Sequence, residues 1–142
     1  MAEKNNHFGV VVIGSGPGGY AVAFRAADLD KKVALIEKDD VLGGVCLNRG
    51  CIPSKALLHI SQIIEEARDL EGKGIKFNTP KIELNKVRGW KNEVVDKLNK
   101  GITQMAKARK IQVFNGIAKF NSKNETLIKS KDELKNISFD NA

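Results

Sequence analysis

The 142-residue sequence predicts an α/β fold with a parallel sheet at its centre. Two short apolar runs rich in β-branched residues, Phe8 to Ile13 and Val33 to Glu37, are typical of strands buried on both faces of such a sheet. A glycine-rich turn and an alanine-rich segment up to Asp30 lie between them. This order predicts a right-handed βαβ unit, the opening of a Rossmann-like domain. The apolar residues that recur at helical spacing in the connecting segment are Tyr20, Ala23, Phe24 and Ala27.

Two long amphipathic helices are predicted in the middle of the chain. The first begins near Cys51, with Pro53 close to its start, and ends at Gly72 and Gly74. The second follows a loop that runs through Pro80. Their apolar stripes consist of Ala56, Leu57, Ile60, Ile63, Ile64, Ala67 and Leu70, and of Trp90, Val94, Val95, Leu98, Ile102 and Met105.

The sequence after Lys110 has the pattern of short strands separated by turns. The apolar runs are Ile111 to Phe114, Ile117 to Phe120 and Thr126 to Lys129. Asparagine and glycine residues separate them, so we expect a small antiparallel meander. Residues 137–142 have the pattern of a further strand.

Composition and charge argue against two classes of partner. The net charge is +7, from 24 Lys and Arg against 17 Asp and Glu, but the basic residues are scattered and the chain has one Trp and one Tyr. Nucleic-acid binding is therefore not indicated.

No apolar run in the sequence approaches the roughly 20 residues that a membrane helix needs. The first seven residues are polar and lead directly into a strand, so we expect no signal peptide and a cytoplasmic location.

The glycine-rich turn matches a phosphate-binding fingerprint. Gly14, Gly16 and Gly19 follow a predicted strand and open a helix, and Glu37 ends the next strand 18 residues past Gly19. Gly14 would allow the tight turn, Gly16 the approach of a pyrophosphate, and Gly19 close packing of the helix on the strand. The N-terminus of the helix offers unpaired N–H groups to phosphates. An ordinary glycine-rich turn with an ordinary strand-end glutamate remains the alternative.

Glu37 indicates which nucleotide such a site would select. Its carboxylate could accept hydrogen bonds from both hydroxyls of an adenosine ribose. The same negative charge would repel a 2′-phosphate. FAD or NAD is therefore favoured over NADP.

The chain contains two cysteines, Cys46 and Cys51. A bond between them would close a loop too short to stabilise the fold by more than about 2 kcal/mol, so a redox role is favoured over a structural one. Cys51 precedes a helix, and Arg49 and Lys55 add positive charge that would stabilise a thiolate. Two alternatives remain: a pair of inert buried cysteines, or half of a metal site completed by a partner, because the spacing completes no metal site within the chain.

Residues 43–58, Gly-Gly-Val-Cys-Leu-Asn-Arg-Gly-Cys-Ile-Pro-Ser-Lys-Ala-Leu-Leu, resemble the redox-disulfide signature of the flavin disulfide reductases. The Leu after the first Cys, the Ile-Pro-Ser-Lys run and the following Ala-Leu-Leu-His are most similar to the members that oxidise dihydrolipoyl groups. The N-terminal fingerprint, Glu37, the paired helices and residues 115–120 also fit, so the resemblance covers nearly the whole chain. The signature is more specific for the family than for one member.

The resemblance implies unequal roles for the two sulfurs. Cys46 would be the interchange thiol that forms a mixed disulfide with the substrate. Cys51 would lie against the flavin and make the charge-transfer contact. Lys55 would sit near the reactive edge of the flavin and help to stabilise its reduced form.

The resemblance also implies which residues hold FAD. The fingerprint residues would bind the pyrophosphate and Glu37 the ribose. Lys38 and the backbone of residues 43–46 would lie alongside. The main chain of Ala118 would contact the adenine. The implied set is Gly14, Ser15, Gly16, Pro17, Gly18, Gly19, Glu37, Lys38, Gly43, Gly44, Val45, Cys46, Cys51, Lys55 and Ala118.

Two departures from the family pattern stand out. Arg49 falls where the family usually has a small apolar residue, and we expect it to point to solvent. Family members are much longer, and neither His7, in a polar tail, nor His59, on a helix, matches their catalytic histidine. We therefore expect residues 1–142 to be the N-terminal part of an FAD/NAD(P)-binding domain, without the NAD and dimerisation domains and inactive alone.

The implied activity is transfer of electrons from dihydrolipoyl groups through the cysteine pair and FAD to NAD⁺. The implied partners are lipoyl domains of 2-oxo-acid dehydrogenase complexes and a second copy in a homodimer. Another flavin disulfide reductase, of the glutathione, mercuric or coenzyme-A disulfide type, is one alternative. A non-catalytic FAD- or ADP-binding module is the other.

Overall fold

The computed structural model describes residues 6–131 and 133–142, and it confirms the α/β class. The polar opening predicted at the N-terminus lies largely in residues 1–5, outside the described residues. The described α-helices and strands are β1 His7–Ile13, α1 Pro17–Asp28, β2 Val33–Glu37, α2 Gly44–Arg49, α3 Cys51–Asp69, α4 Leu84–Ala108, β3 Gln112–Asn115, β4 Ile117–Ser122, β5 Glu125–Lys129 and β6 Leu134–Asn141, and a 3-10 helix, Glu71–Lys73, follows α3.

One sheet contains these strands in the order β3-β2-β1-β6-β5-β4. Strand β1 pairs in parallel with both β2 and β6, and β2 pairs in parallel with β3. The predicted βαβ opening is confirmed. Strands β4, β5 and β6 are antiparallel, so the sheet combines a parallel half and a meander.

The prediction that residues 111–114 belong to the antiparallel meander is wrong. Strand β3 pairs in parallel with β2, with Leu35 opposite Val113, and the third strand of the meander is β6. The long helix α4 lies between β2 and β3 in the chain. It brings the chain back to the end of the sheet at which β2 begins, so β3 runs parallel to β2. At the turn after β3, the Gly116 N–H donates to the Glu37 carbonyl at 2.8 Å.

Strand β2 lies between two hydrophobic clusters, because all five of its residues are buried. Val33 and Leu35 face α1, α2 and α4. Ala34 and Ile36 face the other cluster, which contains residues of β1 and of the meander. Helices therefore cover one face of the parallel strands and the meander covers the other.

The two long helices are confirmed, but they differ in how much they bury. Helix α4 contributes Ile102 and Ala106 to the core. Of α3, only Ala56 is buried, and Ile63 is half exposed. The short helix α2 was not predicted, since six residues are too few to show helical periodicity. None of the helices in the described part of the chain is long and apolar enough to cross a membrane.

His7 is placed differently from its expected position in a polar tail. It is the first residue of β1, and its ring links β1 to β6. Nδ1 lies 3.0 Å from Ser138 Oγ, and Nε2 lies 3.1 Å from Asp140 Oδ1. Both contacts are exposed to solvent.

Replacing Gly19 by alanine should destabilise the fold. A Cβ atom at Gly19 would lie 1.8 Å from the Gly14 carbonyl oxygen, so α1 would have to move away from β1. We expect the free energy of unfolding to fall by about 2 kcal/mol or more. Chemical denaturation measures it.

Gly101→Ala is the matched control, because this glycine also lies inside a helix and has no atom within 4 Å of a Cβ atom built there. We expect it to stabilise the protein by up to about 1 kcal/mol. Equal effects of the two substitutions would contradict the packing role of Gly19.

Candidate functional site

The glycine-rich turn between β1 and α1 forms a cradle at the N-terminus of the helix. Gly14 has a φ of +95°, and its N–H donates to the Ile36 carbonyl at 2.8 Å. Gly16 is the N-cap of α1 and Pro17 follows it at the first helical position. The first turn of a helix has N–H groups without intrahelical partners, so this end of α1 is suited to bind an anion.

The space around these glycines fits a pyrophosphate. Cβ atoms built at Gly14, Gly16 and Gly18 would meet no other atom within 4 Å. Side chains at these positions would therefore extend into the open cradle. Gly19 differs, because its missing side chain allows α1 to pack on β1.

Ser15 holds the cradle to the end of β2. It is fully buried, and both its N–H, at 2.8 Å, and its hydroxyl, at 2.5 Å, donate to Glu37 Oε2. The Gly43 N–H in turn donates to Ser15 Oγ at 3.1 Å and to the Ser15 carbonyl at 3.0 Å. Ser15 was predicted as a cofactor-binding residue; its side chain points into the protein, where it fixes Glu37 and the Gly43 loop.

Glu37 is ionised at neutral pH despite its burial. Burial raises the pKa of its carboxyl, but hydrogen bonds outweigh this effect and the pKa lies below its usual range. The strongest of these comes from the Ser15 hydroxyl, and the Asp39 N–H donates to Oε1 at 3.0 Å. A fixed negative charge therefore lies beside the cradle.

A cleft of about 170 Å³ opens at the carboxyl ends of β1 and β2. It brings together four predicted site residues from three separate parts of the chain, namely Gly14, Glu37, Lys38 and Ala118. Ala118 lies in β4, where it pairs with Ile128 of β5. The remaining lining residues are Ile13, Ile36, Gly116 and Ile117.

Cys46 and Cys51 form a disulfide. Cys46 lies within α2 and Cys51 is the first residue of α3, with their Cα atoms 4.7 Å apart. Cys46 is half-buried and Cys51 is exposed. The two cysteines are thus paired with each other, as a redox function requires.

The disulfide lies next to the phosphate cradle because the Gly43-Gly44 turn, which precedes Cys46, packs against the cradle. Both glycines have positive φ, and a Cβ atom at Gly44 would lie 2.7 Å from the Gly16 Cα. Leu47 of α2 is buried in the core in the same cluster as Ile102 of α4. These contacts join the cradle and the disulfide in one site.

The two cations predicted near the thiols have different surroundings. Arg49 is exposed, as expected, but its guanidinium pairs with the Asp39 carboxylate. Lys55 is exposed on α3, one turn beyond Cys51.

Sequence reasoning missed the amides of Asn48 and Asn99, which link α2 to α4. Asn48 lies within the redox-disulfide signature but was given no role, Asn99 belongs to no motif, and the two residues are 51 positions apart in the chain.

The fold and the site together define a class: a Rossmann-type nucleotide-binding domain that carries a disulfide beside its phosphate loop. The chain belongs to the pyridine nucleotide-disulphide oxidoreductase family, whose family model matches residues 8–142.

The names of similar curated proteins are consistent with this family assignment. The chain is 50% identical to a dihydrolipoyl dehydrogenase of Vibrio parahaemolyticus over 94% of its length. It is 50% identical to one of Buchnera aphidicola from Acyrthosiphon pisum over 99%, and 44% identical to one of Geobacillus stearothermophilus over 93%. The chain spans only 28–30% of the length of these relatives. The family and the relatives indicate FAD as the cofactor, with NAD as the second nucleotide of the full-length enzymes.

Glu37→Gln should reduce the dependence of stability on pH. Because folding lowers the pKa of Glu37 below its ordinary value of 4.5, its stabilising effect is present above that value and is lost as the pH falls through the folded pKa. We expect the variant to lose about 2 kcal/mol of stability at neutral pH, with a smaller loss in acid. Denaturant unfolding from about pH 7 to pH 3 measures both, since the titration is linked to folding.

Glu65→Gln serves as the control, because Glu65 is an exposed residue of α3 paired with Arg68 at 3.4 Å. It should retain the pH dependence of the wild type. A constant difference between Glu37→Gln and the wild type at every pH would contradict the lowered pKa.

Proposed function

We propose that this chain is the N-terminal part of an FAD/NAD(P)-binding domain of a dihydrolipoyl dehydrogenase. The observation that carries the proposal is the Cys46–Cys51 disulfide held against the phosphate cradle through Gly44 and Gly16. A disulfide in this place can exchange electrons with a substrate dithiol on one side and with a bound flavin on the other. The identity to dihydrolipoyl dehydrogenases over nearly the whole chain supports this member of the family.

The chain's residues would hold the pyrophosphate, the ribose and the adenine of FAD. The backbone of residues 14–19 would bind the pyrophosphate, supported by the open space at Gly16. Glu37 would accept hydrogen bonds from the ribose, sharing its oxygens with the donors of Ser15 and Asp39. The main chain of Ala118 would contact the adenine from the far side of the cleft.

The remaining predicted contacts would lie along the redox segment and beside the pyrophosphate and the ribose. Gly43, Gly44 and Val45 would pass beside the flavin, with Lys55 near its reactive edge. Pro17 and Gly18 would border the pyrophosphate, and Lys38 the ribose. FAD, when bound, would supply the hydride chemistry that connects the thiols to NAD⁺.

The thiol chemistry follows from the disulfide. One thiolate of a dihydrolipoyl group would attack the Cys46 sulfur, forming a mixed disulfide and releasing Cys51 as a thiolate. The second substrate thiol would lose its proton and attack the mixed disulfide, which forms the lipoyl disulfide and frees Cys46. Two electrons and two protons thereby leave the substrate, and both electrons reside on the cysteine pair.

The partners follow from this chemistry. The substrate groups would be those of lipoyl domains in 2-oxo-acid dehydrogenase complexes, in the cytoplasm. The full-length enzyme would be a homodimer, in which the second subunit supplies the base that accepts the substrate's proton. The chain alone would not complete turnover, because the nicotinamide would bind outside these residues.

Gly16→Val should block FAD binding without unfolding the protein. Gly16 has an ordinary φ of −64° and free space around its Cβ position, so a Cβ atom fits the fold there, and we expect the valine side chain to extend from it into the cradle. We expect the affinity for FAD to fall about tenfold or more, which is at least 1.4 kcal/mol. Titration followed by the visible spectrum of FAD measures it.

Gly101→Ala, a substitution in α4 outside the cradle, should bind FAD like the wild type. The melting temperature of Gly16→Val without FAD should stay within about 2 °C of the wild-type value. Undiminished FAD binding by Gly16→Val would contradict the cradle. Absence of flavin binding by the wild-type chain would argue against a module that binds FAD or ADP on its own.

Replacing each cysteine by serine separates their proposed roles. In Cys46→Ser, the Cys51 thiolate is free to contact bound FAD, so we expect a long-wavelength charge-transfer absorption without any reductant. In Cys51→Ser, we expect none, because the remaining thiol is the one that faces the substrate. The visible spectra of the two FAD-loaded variants test this. Identical spectra, or a band in Cys51→Ser alone, would contradict the assignment.

A further inference from the structure

We infer that Asn99 of α4 is a positioning residue for the Cys46–Cys51 pair and acts through Asn48. The inference rests on the proposed redox function of the pair and adds a residue outside its motif. Asn48 lies between the two cysteines, whereas Asn99 is 51 residues away in the chain. Both amides are partly buried.

The two amides form one hydrogen-bonded group. Asn48 Nδ2 donates to the carbonyls of Leu42 and Gly44, each at 2.9 Å. Asn99 Nδ2 also donates to the Leu42 carbonyl, and to Asn48 Oδ1 at 3.3 Å. Each amide has two N–H donors, and all four are used. The group therefore connects α2, the loop before it and α4.

This group matters most after the disulfide has been reduced. In the disulfide form, the covalent bond itself holds the two Cα atoms 4.7 Å apart. In the dithiol form, only non-covalent contacts of α2 keep the sulfurs close, and they set the effective concentration of one thiol at the other. Asn99 supplies one such contact and the buried Leu47 supplies another.

Removing Asn99 should therefore favour the dithiol over the disulfide. The Leu42 carbonyl would keep the hydrogen bond from Asn48, and Leu47 would keep its place beside Ile102, so the fold would survive. The segment between the cysteines would gain freedom in the dithiol form, while the bond still restrains it in the disulfide form. Asn99 thus stabilises the disulfide state.

The experiment equilibrates the 142-residue chain with mixtures of reduced and oxidised glutathione, without flavin. Two glutathione thiols reduce the Cys46–Cys51 bond, and one glutathione disulfide forms, so two electrons and two protons pass to the protein. For Asn99→Ala, we expect the equilibrium to shift about three- to tenfold towards the dithiol, the size of one lost hydrogen bond. A tenfold shift corresponds to about 30 mV for a two-electron couple.

Asn92→Ala is the matched control, because Asn92 is an exposed asparagine of the same helix whose side chain contacts Lys91. It should leave the equilibrium unchanged. Asn99→Leu, similar in size and without a donor, should shift the equilibrium like Asn99→Ala and serves if that variant does not fold. Asn99→Gln, which keeps the amide, should restore part of the wild-type value.

The outcomes separate this inference from the proposed function. A wild-type pair that does not form a reversible disulfide would overturn both. A reversible wild-type pair with no shift in Asn99→Ala or Asn99→Leu would overturn only the role of Asn99, and would mean that Leu47 alone positions α2. A shift that also occurs in Asn92→Ala would show a general effect of α4 and overturn it as well.

Discussion

The site depends on the hydrogen bonds that join Ser15, Glu37 and Gly43. They connect three segments that are far apart in the chain: the turn after β1, the end of β2, and the loop before the redox helix. Burial of the Glu37 carboxylate would be costly if it were unpaired, but the donors around it satisfy its charge. These bonds fix the position of the redox loop relative to the phosphate cradle.

The glycines allow these segments to approach each other. Gly44 packs against Gly16, and Gly19 packs against Gly14. A side chain at Gly44 would separate the disulfide from the cradle, and a side chain at Gly19 would separate α1 from β1. Gly16, which has open space at its own Cβ position, is therefore also the residue against which the turn before the cysteine pair packs. In the proposed function, FAD binding and electron exchange would therefore depend on the same local arrangement of backbone.

The sheet supplies the residues that line the cleft opposite Gly14 and Glu37. Helix α4 makes β3 parallel to β2, and the chain then turns at Gly116 beside Glu37 and begins the meander. This turn brings Ala118 to the cleft that Gly14 and Glu37 also line. The position of the meander thus completes a cleft at the carboxyl ends of the parallel strands, where ligands bind in open α/β sheets.

The sequence by itself determined the βαβ opening, the phosphate fingerprint, both long helices and the cysteine pair. These features depend on local spacing: apolar periodicity, glycines at fixed positions, and two thiols five residues apart. Only the tertiary structure decided that β3 pairs with β2, that the Ser15 side chain points into the protein, and that Asn99 contacts Asn48. Strand partners and buried polar contacts join residues far apart in the chain, and no local pattern records which distant residue will satisfy a given donor.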